Sequence, residues 1–180
     1  MADKATAKLF DVIYFTFCSI YGWLVLSETE YFPYMLGGAK DNDMKHMWSD
    51  FPCIQSAYLS SLRFYYLSTL GFHFNSLRAL LWAYFTNRSK NDWVEMLLHH
   101  LLTVALYAFS YMTNSIKIGS LIMYLHDWAD IWTPFTKFWV DTPYKYTTIV
   151  SGVIIWSVWF YSRLIVFPQI IYWGVYIYPQ

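Results

Sequence analysis

Five ionisable side chains that could carry acid–base chemistry lie in two apolar stretches of the sequence. His99 and His100 fall in one stretch, and His126, Asp127 and Asp130 fall in the next. Ionisable groups inside a membrane are costly, so each of them requires a reason. Histidine exchanges protons near neutral pH, and a carboxylate can fix the tautomer of its ring. These five residues are therefore the candidate catalytic site.

The two groups are predicted to lie at the same height on neighbouring helices. Only a short connection centred on Asn114 separates the stretches, and such connections force antiparallel packing. His99 precedes Asn114 by nearly as many residues as Asp127 and Asp130 follow it. We therefore expect His99 to face Asp127 or Asp130. His100 is turned to another side of its helix and is expected to face a different helix.

Two other interpretations of these residues stay open. A polar network can hold helices together in a membrane without doing chemistry. A single zinc ion could also be bound by His99, His126 and either Asp127 or Asp130, although a site without metal is the expectation. The repeated histidine boxes of membrane di-iron enzymes would need more than the five histidines present.

The composition indicates that these stretches lie in lipid. The 180 residues are 57% hydrophobic, 23% aromatic and 13% charged, with no net charge, so nucleic acid is excluded as a partner. The predicted fold class is all-α integral membrane, with about five transmembrane helices in one domain covering residues 1–180. Pro134 removes the helical donor to the carbonyl of Asp130, so a bend is expected there. The apolar segments are 9–26, 54–85, 94–112, 116–140 and 147–178.

The distribution of positive charge predicts the orientation of the chain. Lys and Arg are more frequent on the side of the amino terminus than on the opposite side, which places that terminus on the cytoplasmic or matrix side. The first side carries Lys4, Lys8, Arg88, Lys90, Lys137 and Lys145, and the second carries Lys40, Lys45 and Lys117. The first residues are polar and basic without a cleavage site, so no cleaved signal peptide is expected.

The candidate site also belongs to a longer motif. Residues 95–137 read E-x-x-x-H-H-x-x-T, then S-Y-x-x-N-x-x-K-I-G-S-L, then L-H-D-x-x-D and a closing Lys. This closely resembles the Lag1 motif of ceramide synthases, within the TLC-domain family. Residues 64–77 (F-Y-Y-L-S-T-L-G-F-H-F-N-S-L) and 160–169 (F-Y-S-R-L-I-V-F-P-Q) are similar to two further segments of that family.

The resemblance implies a sphingoid base N-acyltransferase that uses fatty acyl-CoA as co-substrate and no other cofactor. In that family the helices enclose an acyl-chain chamber that opens to the cytosol, so a partial TLC-type helical barrel is expected. By motif position, His99 and His100 correspond to the paired histidines, and His126, Asp127 and Asp130 to the His-Asp-x-x-Asp element. Aminolysis of a thioester needs a base or a nucleophile. We expect His99 to fill that role, with Asp127 or Asp130 orienting its ring.

The resemblance leaves a second function open. Compared with the family, the chain is expected to be shortened at both ends, with Pro134 where Glu is frequent and Thr69 near an acidic position. Such a chain could be a non-catalytic accessory subunit of a large, mitochondrial membrane complex that binds structural lipid. The expected partners are membrane lipids, with acyl-CoA and a long-chain base for the enzyme, and other copies or subunits for an assembly. The expected location is the endoplasmic reticulum membrane, with the mitochondrial inner membrane as the alternative.

Overall fold

A computed structural model describes residues 2–49, 51, 59–86, 93–140 and 142–177, with the backbone alone for 2–5 and 59. Every regular element in these ranges is helical, which confirms the predicted fold class. Residues 54–58 and 178 of the predicted apolar segments, with Arg88 and Lys90, lie outside the described residues. The helices are α1 (Ala2–Ser27), α2 (Leu59–Phe85), α3 (Trp93–Met112), α4 (Ile116–Asp130), α5 (Trp132–Val140), α6 (Lys145–Phe160) and α7 (Phe167–Ile171).

The chain packs as two compact units, residues 1–49 with 120–180, and residues 50–119. In the first unit α5 packs against both α1 and α6. The Nζ atom of Lys8 on α1 donates a hydrogen bond to the carbonyl of Lys137 on α5 at 2.6 Å. The single domain and the partial barrel concern the arrangement of both units together, and they stay predictions.

Shorter turns complete the first unit. Two 3-10 turns, Tyr34–Leu36 and Met44–Met47, lie in the loop after α1. Two π turns, Tyr161–Val166 and Tyr172–Ile177, lie on either side of α7. The π turns keep the chain helical from α6 onward, so the last segment is one continuous helix of 33 residues.

The second unit is built on the packing of α2 against α3. Tyr66, Thr69, His73 and Leu77 are buried on α2 and follow one another at steps of three or four residues, which is the period of a single helix face. Gly119, in the first turn of α4, lies against the Tyr66 hydroxyl, so a Cβ atom there would overlap it. This contact makes Gly119 part of the packing of the second unit.

The helix expected between residues 116 and 140 is interrupted at Ile131, between α4 and α5. Pro134 lies in the first turn of α5 and has no amide hydrogen to give to the carbonyl of Asp130. This is the local break that the sequence predicts. It divides one apolar stretch into helices of 15 and 9 residues.

Among the described residues, three helices are long and apolar enough to cross a membrane: Thr6–Ser27, Trp93–Met112 and Lys145–Ile177. The chain is therefore an integral membrane protein. Helix α2 has 27 residues, but its Tyr, Ser, Asn and Arg side chains lower its mean hydropathy. Helices α4 and α5 are each shorter than the roughly 20 residues of a spanning helix. The count of five spans stays a prediction.

Candidate functional site

The His-Asp-x-x-Asp residues occupy the last turns of α4, in the first unit. The Nδ1 atom of His126 lies 2.7 Å from the carbonyl of Ile122, one turn earlier. A carbonyl can only accept a hydrogen bond, so Nδ1 carries the proton and Nε2 of the neutral ring is the basic nitrogen. Phe167 meets the His126 ring edge-on, with 5.8 Å between ring centroids. The orientation of His126 is therefore held from two sides.

The two carboxylates of α4 have different surroundings. Asp127 is completely buried. Asp130 is partly buried, and the positive charges of Arg163 and Lys137 act on its carboxylate. The two cations attract this carboxylate while its burial disfavours the charge, so Asp130 can orient or balance a neighbouring charged group.

Sequence reasoning did not single out Arg163. It lies in the π turn Tyr161–Val166, where the amide of Phe167 donates to the carbonyl of Ser162 five residues back. Pro168 follows that turn and has no amide hydrogen, so the ordinary four-residue bonding pattern cannot run through this point. Turns of this kind occur often at functional sites. The signal that could have found Arg163 is a charged residue within a long apolar segment.

The paired histidines lie on α3, in the second unit. His99 is exposed, whereas His100 is partly buried. The two rings meet edge-on, with centroids 5.4 Å apart. His100 also faces His73 on α2, with ring centroids 6.3 Å apart. The expectation that His100 faces another helix is confirmed.

His73 lies beside these two histidines, although the sequence analysis assigns it no role. Its side chain is buried, and its ring meets Tyr107 of α3 edge-on at 5.5 Å between centroids. The signal that could have found it is the spacing of Tyr66, Thr69 and His73, which puts a histidine on the buried face of α2. Three histidines from two helices thus lie together in the second unit.

The structure brings the predicted site residues together in two groups. One group holds His126, Asp127 and Asp130 on α4, and the other holds His99 and His100 on α3. The contact expected between His99 and Asp127 or Asp130 joins the two units and stays a prediction. Within the described part of each unit, no three His, Cys, Asp or Glu side chains are gathered closely enough to hold a metal ion.

A family profile described as the TLC domain matches residues 4–180. The chain belongs to the TLC-domain family. Ceramide synthase 3 of Mus musculus is 31% identical over 134 residues, which cover 74% of this chain and 33% of that protein. Ceramide synthase 5 of Homo sapiens is 31% identical over 126 residues, covering 70% of this chain and 31% of that protein.

A third TLC-domain relative matches over a longer stretch. Ceramide synthase hyl-1 of Caenorhabditis elegans is 26% identical over 171 residues, covering 94% of this chain and 42% of that protein. The chain thus spans less than half the length of each of these curated relatives. No solved structure matches it. The motif resemblance found in the sequence is confirmed at the level of the family.

Proposed function

We propose that the protein is a membrane-bound sphingoid base N-acyltransferase that uses fatty acyl-CoA. The observation that carries this proposal is the concentration of ionisable residues on two helices of otherwise apolar character. Membership of the TLC-domain family, with ceramide synthases among the relatives, supports the choice of substrates. The residues in question are His99, His100, His126, Asp127 and Asp130.

The reaction would be the aminolysis of a thioester. The amine nitrogen of the long-chain base attacks the thioester carbonyl carbon, and a base takes one N–H proton. The tetrahedral intermediate then collapses, the carbon–sulfur bond breaks, and the departing thiolate of CoA receives the proton. One amide and one free CoA thiol result, with no change of oxidation state. The only group that the protein must supply is one that accepts and returns a proton near neutral pH.

His99 is the proposed base, or the nucleophile that first carries the acyl group. Its exposed position on α3 leaves the ring accessible to a substrate, while the adjacent His100 is held against His73. Asp127 or Asp130 is proposed to orient the His99 ring, as a carboxylate does in hydrolase triads. The endoplasmic reticulum membrane is the proposed location, with the mitochondrial inner membrane as the alternative.

The surroundings of Asp130 favour a second candidate function. With the charges of Arg163 and Lys137 acting on it, Asp130 can serve as a structural anchor between helices of the first unit. On this proposal the chain is a non-catalytic accessory subunit of a larger membrane complex. It would have the TLC-domain fold and bind structural lipid without catalysing acyl transfer. Other subunits or further copies of the chain would then be its partners.

One purification separates the two candidates. The protein is extracted from its native membrane and incubated with palmitoyl-CoA and sphinganine, and the N-acyl product is quantified by mass spectrometry alongside the released CoA thiol. The enzyme predicts product and thiol in equal amounts from material that contains this chain alone or its own copies. An accessory subunit predicts no product, together with other proteins present at a fixed ratio to this chain.

A further inference from the structure

An open depression of about 480 Å³ lies in the first unit, where the loop after α1 meets the last helical turn of the chain. Its lining includes Tyr34, Lys40, Asp41, Asp43 and Trp173. This volume is within the range of about 300–1,000 Å³ that is usual for small-molecule sites. Because the candidate spans Thr6–Ser27 and Lys145–Ile177 both end beside these residues, we expect the depression to lie near the depth of lipid headgroups.

Hydrogen bonds hold the walls of the depression in place. The indole Nε1 of Trp48 donates to the carbonyl of Gly174, next to Trp173. The hydroxyl of Tyr161 donates to the carbonyl of Met35 at 3.0 Å. The side-chain amide of Asn42 donates to two carbonyls of the same loop, at 2.9 and 3.1 Å. These bonds join the loop to itself and to the last helical segment, so the site is formed before a ligand arrives.

Glycine shapes the turn of this loop. Gly37 has a φ of +99°, a backbone conformation that side chains with a Cβ atom rarely adopt. A Cβ atom on Gly38 would overlap the carbonyl oxygen of Phe32. The loop can therefore fold back closely on itself, and this places Lys40 and Asp41 at the edge of the depression.

The charges of the lining suit a ligand that carries one charge of each sign. Asp43 is paired with Lys45, whose Nζ atom lies 3.1 Å from its carboxylate. The neighbours Lys40 and Asp41 then remain as one cation and one anion, both exposed. An ammonium group would also be attracted to the aromatic faces of Trp173 and Tyr34. A headgroup that carries only a phosphate would be repelled by the carboxylate of Asp41 and would make no cation–π contact with the two aromatic rings.

We propose that this depression binds the zwitterionic headgroup of a phospholipid, with the phosphate at Lys40 and the ammonium at Asp41 and Trp173. The chemistry recognised is a phosphodiester joined by a short linker to a quaternary or primary amine. The surrounding membrane supplies this group at high local concentration and at the right depth. The proposal is independent of acyl transfer, because none of the candidate catalytic residues lines the depression.

Native mass spectrometry of the full chain, released from mixed micelles, tests the proposal. The micelles contain phosphatidylcholine and phosphatidylglycerol of the same acyl composition in equal amounts, and a second series adds soluble glycerophosphocholine. We expect one phosphatidylcholine to be retained about tenfold more strongly than phosphatidylglycerol. Equal retention of the two lipids would overturn the proposal. Binding of glycerophosphocholine without retention of the intact lipid would identify a soluble phosphodiester instead, and would overturn it too.

Conservative variants at the edge of the depression test whether its two charged side chains bind the headgroup. Lys40→Gln and Asp41→Asn change exposed side chains with little change in size, and each is expected to reduce retention of phosphatidylcholine about tenfold. Trp173→Ala is expected to act in the same direction. The matched controls Lys145→Gln and Trp156→Ala change exposed residues outside the depression and should leave retention unchanged. Retention that is the same in the site variants as in these controls would contradict the assignment.

Discussion

His73 of α2 and His100 of α3 face each other, with ring centroids 6.3 Å apart. His73 is buried, and its contact with Tyr107 leaves it little freedom to turn. A residue outside the His-His motif therefore helps to fix one of the two motif histidines. Helix α2 contributes to the candidate site as well as to the packing of the second unit.

Replacing His73 should weaken the pairing of α2 with α3. His73→Ala removes ring contacts with His100 and Tyr107, and we expect the free energy of unfolding in mixed micelles to fall by about 1–3 kcal/mol. Phe74→Ala is the matched control, because Phe74 is the next residue of α2 and 59% exposed. A double-mutant cycle that combines His73→Ala with His100→Ala should show a coupling energy of at least about 0.5 kcal/mol between the two changes. Strictly additive losses would contradict a direct contact.

A side chain at position 119 should destabilise the protein, whereas a side chain at position 71 should be tolerated. A Cβ atom on Gly119 would overlap the Tyr66 hydroxyl and the Oγ atom of Ser110, and the space around Gly71 is open. Gly119→Ala is expected to destabilise the protein by about 1–3 kcal/mol, and Gly71→Ala to stabilise it by about 0.5–1 kcal/mol. Thermal unfolding in detergent measures both. Adding Tyr66→Phe to Gly119→Ala should restore part of the loss, and no recovery would refute the contact.

Local chemistry explains which features could be predicted from the sequence. The break before α5 follows from the missing amide hydrogen of Pro134, and apolar length alone indicates α1, α3 and the last helical segment. The contacts of His73 and Arg163 depend on which face of one helix meets another. Spacing along a single helix shows which residues share a face but not which face meets another helix, so the surroundings of these two residues emerged only from the structure.

Arg163 should matter mainly because it accompanies a carboxylate. Arg163→Met leaves Asp130 with less compensating charge, and we expect the free energy of unfolding to fall by about 1–3 kcal/mol. Adding Asp130→Asn removes the uncompensated charge and should recover at least half of that loss. The control Arg78→Met changes an exposed arginine of α2 and should have an effect within about 0.5 kcal/mol. A double variant less stable than Arg163→Met would show that Asp130 is stabilised independently of Arg163.

The five-span topology predicts that Lys45 and Thr86 lie on opposite sides of the membrane. Single cysteines at these positions, in a background with both native cysteines replaced by alanine, are labelled with a membrane-impermeant maleimide in sealed vesicles. We expect one site to be labelled before permeabilisation and the other only after it, because α2 crosses between them. Labelling of both sites from one side would show that α2 does not span the bilayer, and would reduce the count of spans.

The central claim is that His99 carries acyl transfer, and the most direct measurement is N-acylation by purified wild-type protein beside His99→Ala. The assay follows the amide formed from acyl-CoA and a long-chain base. Leu98→Ala, a change at an adjacent exposed position of α3, is the matched control, and unfolding curves verify that all three proteins are folded. We predict that His99→Ala lowers the rate by about 10²–10⁴-fold, as the loss of a general base does, while Leu98→Ala stays close to wild type. Equal rates in wild type and His99→Ala, or no acylation by folded wild-type protein, would contradict the claim.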